Sequence, residues 1–210
     1  MADETVFVVD DDGDVRESLC ALLESAGVSA EAYESAQAFL DAYRPGRAGC
    51  LIADIRMPDM DGLELQEELN RRKSGLPVIV VTGHADVPLA VRAMKAGAVD
   101  LIEKPYDDEL LLGSVRRALA QAHGAREQAA VADAAKARIA GLSARERQVL
   151  ELLVAGEPNK IIAYELDISP RTVEIHRAHV MEKMEAKSLS DLVRAAISAG
   201  VSGATTRKAN

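Results

Sequence analysis

Apolar positions along the first half of the chain alternate between two periods. The unbroken run Thr5-Val6-Phe7-Val8-Val9 is followed by Val15, Leu19, Leu22, Leu23 and Ala26 at helical spacing, closed by Gly27. The pair of patterns then repeats. Val28–Tyr33 predicts a weak strand, and Ser35 caps a helix through Tyr43. Cys50–Ala53, Pro77–Val81 and Val99–Ile102 predict strands, with helices over Leu63–Lys73, Val87–Ala96 and Asp107–Ala122. Five strand–helix units with near-continuous apolar strands imply a parallel sheet covered on both faces.

The pattern changes after Gly124. From Gln121 to Ala140 nine of twenty residues are alanine and none is proline, which predicts a helical connector rather than a floppy one. Beyond it the period stays helical. Ser143 and Glu146 spell a capping box before Val149, Leu150, Leu152 and Leu153. Asn159 is the expected cap of a second helix, Lys160–Leu166. Ser169 and Pro170 open a third that runs to about Met184, and Ser188–Ala199 makes a fourth. The expected organisation is an α/β domain over 1–122, a helical linker over 123–138, an all-α domain of four helices over 139–203 and a disordered tail over 204–210.

Composition narrows the function. Two cysteines, Cys20 and Cys50, exclude a disulfide framework and point to a reducing, cytoplasmic setting. No apolar run exceeds five residues, so no membrane span is expected, and the acidic start MADETVFVVD is unlike a secretory signal. The formal net charge of −9 speaks against nucleic acid until it is divided. Residues 1–124 hold 23 acidic against 12 basic side chains, whereas 125–210 hold 11 against 13. Two parts with different partners follow.

The candidate chemistry sits at the strand ends. Asp10, Asp11 and Asp12 follow the first strand, Asp54 the third, Thr82 the fourth and Lys104 the fifth. In open parallel sheets the crevice outside the carboxyl ends of the strands is where ligands bind. Clustered carboxylates repel one another unless a cation sits among them, and an all-oxygen set favours a hard ion such as Mg²⁺ (or Mn²⁺). Asp54 is then a nucleophile toward a phosphoryl group, with Lys104 and Thr82 offsetting the charge on its oxygens. Each residue alone has an ordinary explanation, since acids at strand ends often cap the next helix. The joint set, with DIRMPDMDG after strand three, T-G after strand four and K-P after strand five, does not.

These motifs resemble the receiver domain of two-component response regulators over roughly residues 5–120, and TGHADVPLAVRAMKAGAVDLIEKP resembles the FixJ branch. The resemblance implies a flavodoxin-like, doubly wound sheet of five parallel strands in the order 2-1-3-4-5. It implies phosphorylation at Asp54. It implies a metal held by Asp10, Asp11, Asp54 and the backbone carbonyl of Arg56. Thr82 and Lys104 become the groups that contact the phosphate, and the side chains of Arg56 and His84 tune dephosphorylation. At the position where that family usually carries Phe or Tyr, three before the lysine, this chain has Leu101. Ring burial cannot be its signal, which leaves Thr82 and the fourth helix to carry the switch.

Angular sorting of the third C-terminal helix puts Val173, His176, Val180 and Met184 on one side and Arg171, Glu174, Ile175, Ala178 and Glu182 on the other. On periodicity alone this is a helical bundle with a solvated face. The stretch LSARERQVLELLVAGEPNKIIAYELDISPRTVEIHRAHVMEKMEAKSL resembles the LuxR-type helix-turn-helix, whose third helix enters the major groove. On that resemblance Arg171, Glu174, Ile175 and Ala178 face base edges, and Lys160, Thr172, Arg177, Lys183 and Lys187 face phosphates. The implied protein is a transcription regulator and not an enzyme beyond its own phosphorylation and dephosphorylation. Its implied partners are a sensor histidine kinase, double-stranded promoter DNA, RNA polymerase and, once phosphorylated, a second copy of itself. Two alternatives remain open at this point. Asp10-Asp11-Asp12-Gly13 also spells the D-x-D-G of haloacid-dehalogenase-like phosphatases, with Asp10 as nucleophile and Asp12 as acid. The helical domain could also bind protein or RNA.

Overall fold

A computed structural model describes residues 4–202. The tail expected over 204–210 lies outside the described residues. The chain divides into two compact units, Met1–Ala125 and Arg126–Asn210.

The first unit is built on β1 (Thr5–Val9), β2 (Ser29–Tyr33), β3 (Gly49–Asp54), β4 (Val78–Thr82) and β5 (Asp100–Glu103). All pairings are parallel, in the order β2-β1-β3-β4-β5. The period of two along the strands divides the core. Phe7, Val9, Leu51, Ala53 and Val80 pack on one face with α2 (Ala36–Ala42), α3 (Gly62–Arg71) and α4 (Val87–Lys95), through Phe39, Leu63, Leu69 and Ala93. Val6, Val8, Ile52, Ile79 and Val81 pack on the other with α1 (Gly13–Ser25) and α5 (Asp108–Ala140), through Leu19, Leu23, Leu111 and Val115. β1, β3 and β4 are buried throughout, which is why they read as unbroken apolar runs. β2 lies at an edge and is half-exposed, which explains its weak pattern. Four of the six aromatic rings, Phe7, Tyr33, Phe39 and Tyr43, pack together at centroid distances of 5.2–5.7 Å. They are core, not a platform for bases.

Helix α5 departs from expectation. The helix predicted to end at Ala122 and the alanine-rich connector are one helix, Asp108–Ala140, with no break at Gly124. A single glycine costs a helix about 1 kcal/mol relative to alanine, and the surrounding alanines outweigh it.

The second unit contains α6 (Ala144–Val154), α7 (Asn159–Glu165), α8 (Pro170–Lys183) and α9 (Leu189–Ser198) around Val149, Leu150, Ile162, Val173, Val180, Met184, Leu192 and Ala196. Both halves of the Ser143–Glu146 capping box form. Ser169 caps α8 by accepting from the Thr172 amide at 3.1 Å. The expected cap of α7 is wrong. Asn159 is the first residue of that helix, Pro158 occupies the cap position without a side-chain bond, and the Asn159 amide oxygen serves α8 instead. Among the described residues no helix is long and apolar enough to cross a membrane.

Candidate functional site

The sheet order reverses at β1, so the chain leaves β1 and β3 toward opposite faces and opens a crevice at their carboxyl ends. Asp10 stands one residue beyond β1, and Asp54 is the last residue of β3. They are 3% and 6% exposed. Two carboxylates this buried are costly unless a positive charge lies between them. Lys104, just after β5, supplies it. Its Nζ donates to Asp10 Oδ2 and to Asp54 Oδ1, each at 2.7 Å. Burial pushes the Lys104 ammonium down, but the hydrogen bonds to Asp10 and Asp54 outweigh it and hold its pKa above the ordinary value.

The other oxygens are also engaged. Asp54 Oδ2 accepts the Arg56 amide at 2.5 Å, and Asp10 Oδ1 accepts the Asp12 amide at 3.0 Å. The Arg56 side chain is exposed. Thr82, the last residue of β4, is fully buried, and its hydroxyl donates to the His84 carbonyl at 3.2 Å. The His84 side chain is exposed. Leu101 is half-buried on β5 against the core of the α3–α4 face, whereas Tyr106 packs on the opposite core, where burial pushes its phenol up. Tyr106 therefore cannot stand in for the family's ring at position 101.

The fit to a metal can be tested on these donors. The shared ammonium shows that Asp10 and Asp54 aim at one point, and an all-oxygen pair suits Mg²⁺. The third acid, Asp11, is exposed, and among the described residues no three acidic, His or Cys side chains converge on one point. Asp10 and Asp54 fit the ion; Asp11 is adjacent and not gathered.

Asp12 has a different task from the one its D-x-D-G setting suggested. Its Oδ1 accepts the Asp14 and Val15 amides at 2.9 and 3.4 Å, capping α1. The carboxylate needed as the acid of a phosphatase is thus engaged at a helix end.

Two contributors were not singled out from the sequence. Arg16, one turn into α1, donates to the Asp10 carbonyl at 2.7 Å and steadies the strand end. A Cβ on Gly62 would stand 2.3 Å from the Asp54 carbonyl oxygen, so only glycine lets the β3–α3 loop return against the site. The D-G of DIRMPDMDG was the available signal.

In the second unit the sides of α8 are those expected. Val173, Val180 and Met184 are buried and His176 is half-buried, while Arg171, Glu174, Ile175, Ala178 and Glu182 are exposed. Lys160 and Lys187 are exposed, and Thr172 is half-buried beside its cap. Two expected phosphate ligands have partners within the unit: Arg177 donates to Asn159 Oδ1 at 2.6 Å, and Lys183 to Glu146 Oε2 at 2.7 Å. The Lys183 ammonium and the Ser143 amide hold the Glu146 carboxyl down to a pKa of about 2.

Comparison with known proteins agrees with both units. Residues 6–116 match the response regulator receiver domain family, and residues 140–196 match the luxR family of bacterial regulatory proteins. The chain is 56% identical to the transcriptional regulatory protein FixJ of Azorhizobium caulinodans, over 95% of this chain and 94% of that one. It is 53% identical to FixJ of Rhizobium meliloti, over 95% and 98%. Among solved structures it is similar to the response regulator StyR, with a TM-score of 0.80 and 43% identity, over 93% and 99%. Full-length FixJ from B. japonicum gives a TM-score of 0.56 and 49% identity, over 95% and 98%. Nothing in these likenesses supports the phosphatase alternative.

Proposed function

Because the chain belongs to the FixJ-like response regulators, phosphorylation-activated transcriptional regulators with a receiver and a LuxR-type DNA-binding domain, we propose that Asp54 is the carboxylate that takes the phosphoryl group from a sensor histidine kinase. The observation that carries this reading is the Lys104 ammonium shared between Asp54 and Asp10. An Asp54 oxygen attacks phosphorus, and the phosphorus–nitrogen bond of the donor phosphohistidine breaks. The leaving imidazole keeps the electron pair and takes a proton. Asp10 orients the ammonium toward the incoming charge. The Thr82 hydroxyl gives up a single carbonyl acceptor, that of His84, to reach a phosphoryl oxygen. Asp10 and Asp54 would hold Mg²⁺ (or Mn²⁺), with the adjacent Asp11 and the Arg56 carbonyl as further ligands on the family resemblance, and the ion would neutralise charge on the phosphoryl oxygens. Arg56 and His84, exposed beside the carboxylate and the hydroxyl, govern the approach of water.

The added charge biases an on/off equilibrium. Phosphorylated receivers pair through α4, β5 and α5. Support comes from α4, where Val87, Val91 and Met94 are 77%, 46% and 52% exposed. The dimer sets two α8 helices on half-sites about one DNA turn apart, ~34 Å. Arg171, Glu174, Ile175 and Ala178 meet base edges, while Lys160, Thr172 and Lys187 meet phosphates. Turning such an equilibrium from 1:99 to 99:1 takes ~5.5 kcal/mol, shared between the phosphoryl contacts and the bound duplex. The dimer acts on promoter DNA in the cytoplasm and presents itself there to RNA polymerase. It performs no chemistry on outside substrates beyond exchange of its own phosphoryl group.

The test is acetyl phosphate labelling of the full chain, with peptide mass spectrometry, sedimentation and a promoter-fragment shift. One phosphoryl group on Asp54, dimerisation and a shift absent from Asp54→Asn are expected. An adduct on Asp10, or equal shifts from both chains, would overturn the reading.

A further inference from the structure

The fully buried apolar contacts of the recognition helix form a narrow line: Val173 and Val180 on α8 and Met184 just after it fall within about 20° of Val173 at 100° per residue, with Met181 partly buried on one flank. A line of contacts fixes the distance of a helix from its core better than its rotation about its own axis. The two intramolecular bonds of α8 stand on opposite flanks of that line. At 100° per residue, Arg177 projects about 40° to one side of Val173 and Lys183 about 80° to the other. Arg177 reaches back to the start of α7, and Lys183 to the start of α6.

The Lys183 contact is the more demanding one. Glu146 is 4% exposed, so its carboxylate must be paired. Oε2 accepts both the Ser143 amide and Lys183 Nζ at 2.7 Å, and Oε1 lies 3.8 Å from His179 Nδ1, one turn earlier on α8. The group that caps α6 is therefore the anchor of α8. An ammonium drawn away to a phosphate would leave that buried carboxylate without its strongest partner.

We infer that Lys183 is a positioning residue rather than a phosphate ligand: paired with Glu146, it sets the rotation of α8 and so decides which side chains face the bases. The inference rests on α8 being the helix that reads DNA. Lys183 is 44% exposed, but its ammonium is already neutralised by Glu146, so counterion release on binding owes little to it.

The experiment uses the full phosphorylated chain with two probes: a duplex selected by the wild type from a random pool, and a random-sequence duplex of equal length. Affinity is measured against salt. Lys183→Met is expected to weaken the selected duplex about tenfold, to leave the random duplex within about twofold and to keep the wild-type salt slope. Glu146→Gln should reproduce this pattern, the double variant should lose no more than either single one, and Lys183→Arg should restore selectivity. A slope smaller by about 0.9, with equal loss on both duplexes, would make Lys183 a phosphate ligand and overturn the inference. Tighter binding of both duplexes by Glu146→Gln would also overturn it. If Glu146→Gln fails to fold, the slope of Lys183→Met decides alone. A wild type that binds neither duplex would sink the DNA-binding reading itself, an outcome distinct from either slope.

Discussion

Lys104 Nζ lies 2.7 Å from Asp54 Oδ1 and equally close to Asp10 Oδ2, so one ammonium neutralises two carboxylates brought from different strands. Removing it should expose their repulsion. Lys104→Met is expected to lose about 1–3 kcal/mol, less than the ~3–5 of a fully buried pair because the lysine side chain is 23% exposed. Urea unfolding with and without Mg²⁺ checks this. The metal should stabilise Lys104→Met more than the wild type, and equal responses would count against a shared cation position.

Gly62→Ala would drive a methyl group into the Asp54 carbonyl, 2.3 Å from the Cβ position. The atoms it meets, of Asp54 and Ile55, are all backbone, so the loop must shift. A loss of about 1–3 kcal/mol is expected, together with slower uptake from acetyl phosphate. Uptake at the wild-type rate would show that the loop does not position the carboxylate.

Leu101 is half-buried on the face opposite Tyr106, so no ring is poised to turn inward with the phosphoryl group. Thr82→Ala should lower phosphorylation-driven dimerisation at least about tenfold by sedimentation. Leu101→Phe should change it by less than about threefold. A large gain in Leu101→Phe would instead reveal a switch that the leucine impairs.

Two exposed side chains of the second unit separate specificity from charge. Ile175→Ala should relax preference at one base position with no change in salt dependence. Lys187→Met should weaken all duplexes alike and reduce the slope by about 0.9. Selection from a random duplex pool, repeated at several salt concentrations, measures both.

The Glu146 carboxyl, held down to about 2 by Lys183 and the Ser143 amide, makes the second unit sensitive to acid. A depressed carboxyl stabilises the fold above its unfolded pKa of about 4.3. That contribution is lost as the pH falls toward 2. Carbon-detected NMR should find Glu146 titrating near 2 in the wild type and clearly higher in Lys183→Met. The acid-unfolding midpoint of the variant should move to higher pH, and an unmoved carboxyl would mean that the ion pair does not form in solution.

How much of this was legible beforehand depended on distance along the chain. The caps at Ser35, Ser143 and Ser169 are legible in the sequence because each bond spans three residues and helix geometry alone sets it. The side chain of Asn159 has two plausible uses, and only the packed neighbours select the bond to Arg177 over the cap of α7; for Asp12 they select the helix cap from the two uses the sequence leaves open.

The sequence by itself determined the two kinds of domain, the layered sheet, and the strand ends at which Asp10, Asp54, Thr82 and Lys104 would appear. Periodicity and turn residues act locally, and strands buried on both faces leave an unbroken apolar signature. The tertiary structure alone decided that one ammonium would bridge Asp10 and Asp54 and that Lys183 would pair with Glu146. Lys104 finds Asp10 across 94 residues and Asp54 across 50, and Lys183 finds Glu146 across 37. Such pairs are chosen by how helices and strands pack, because a buried charge takes whichever partner the fold places within reach, and spacing along the chain does not say which one that is.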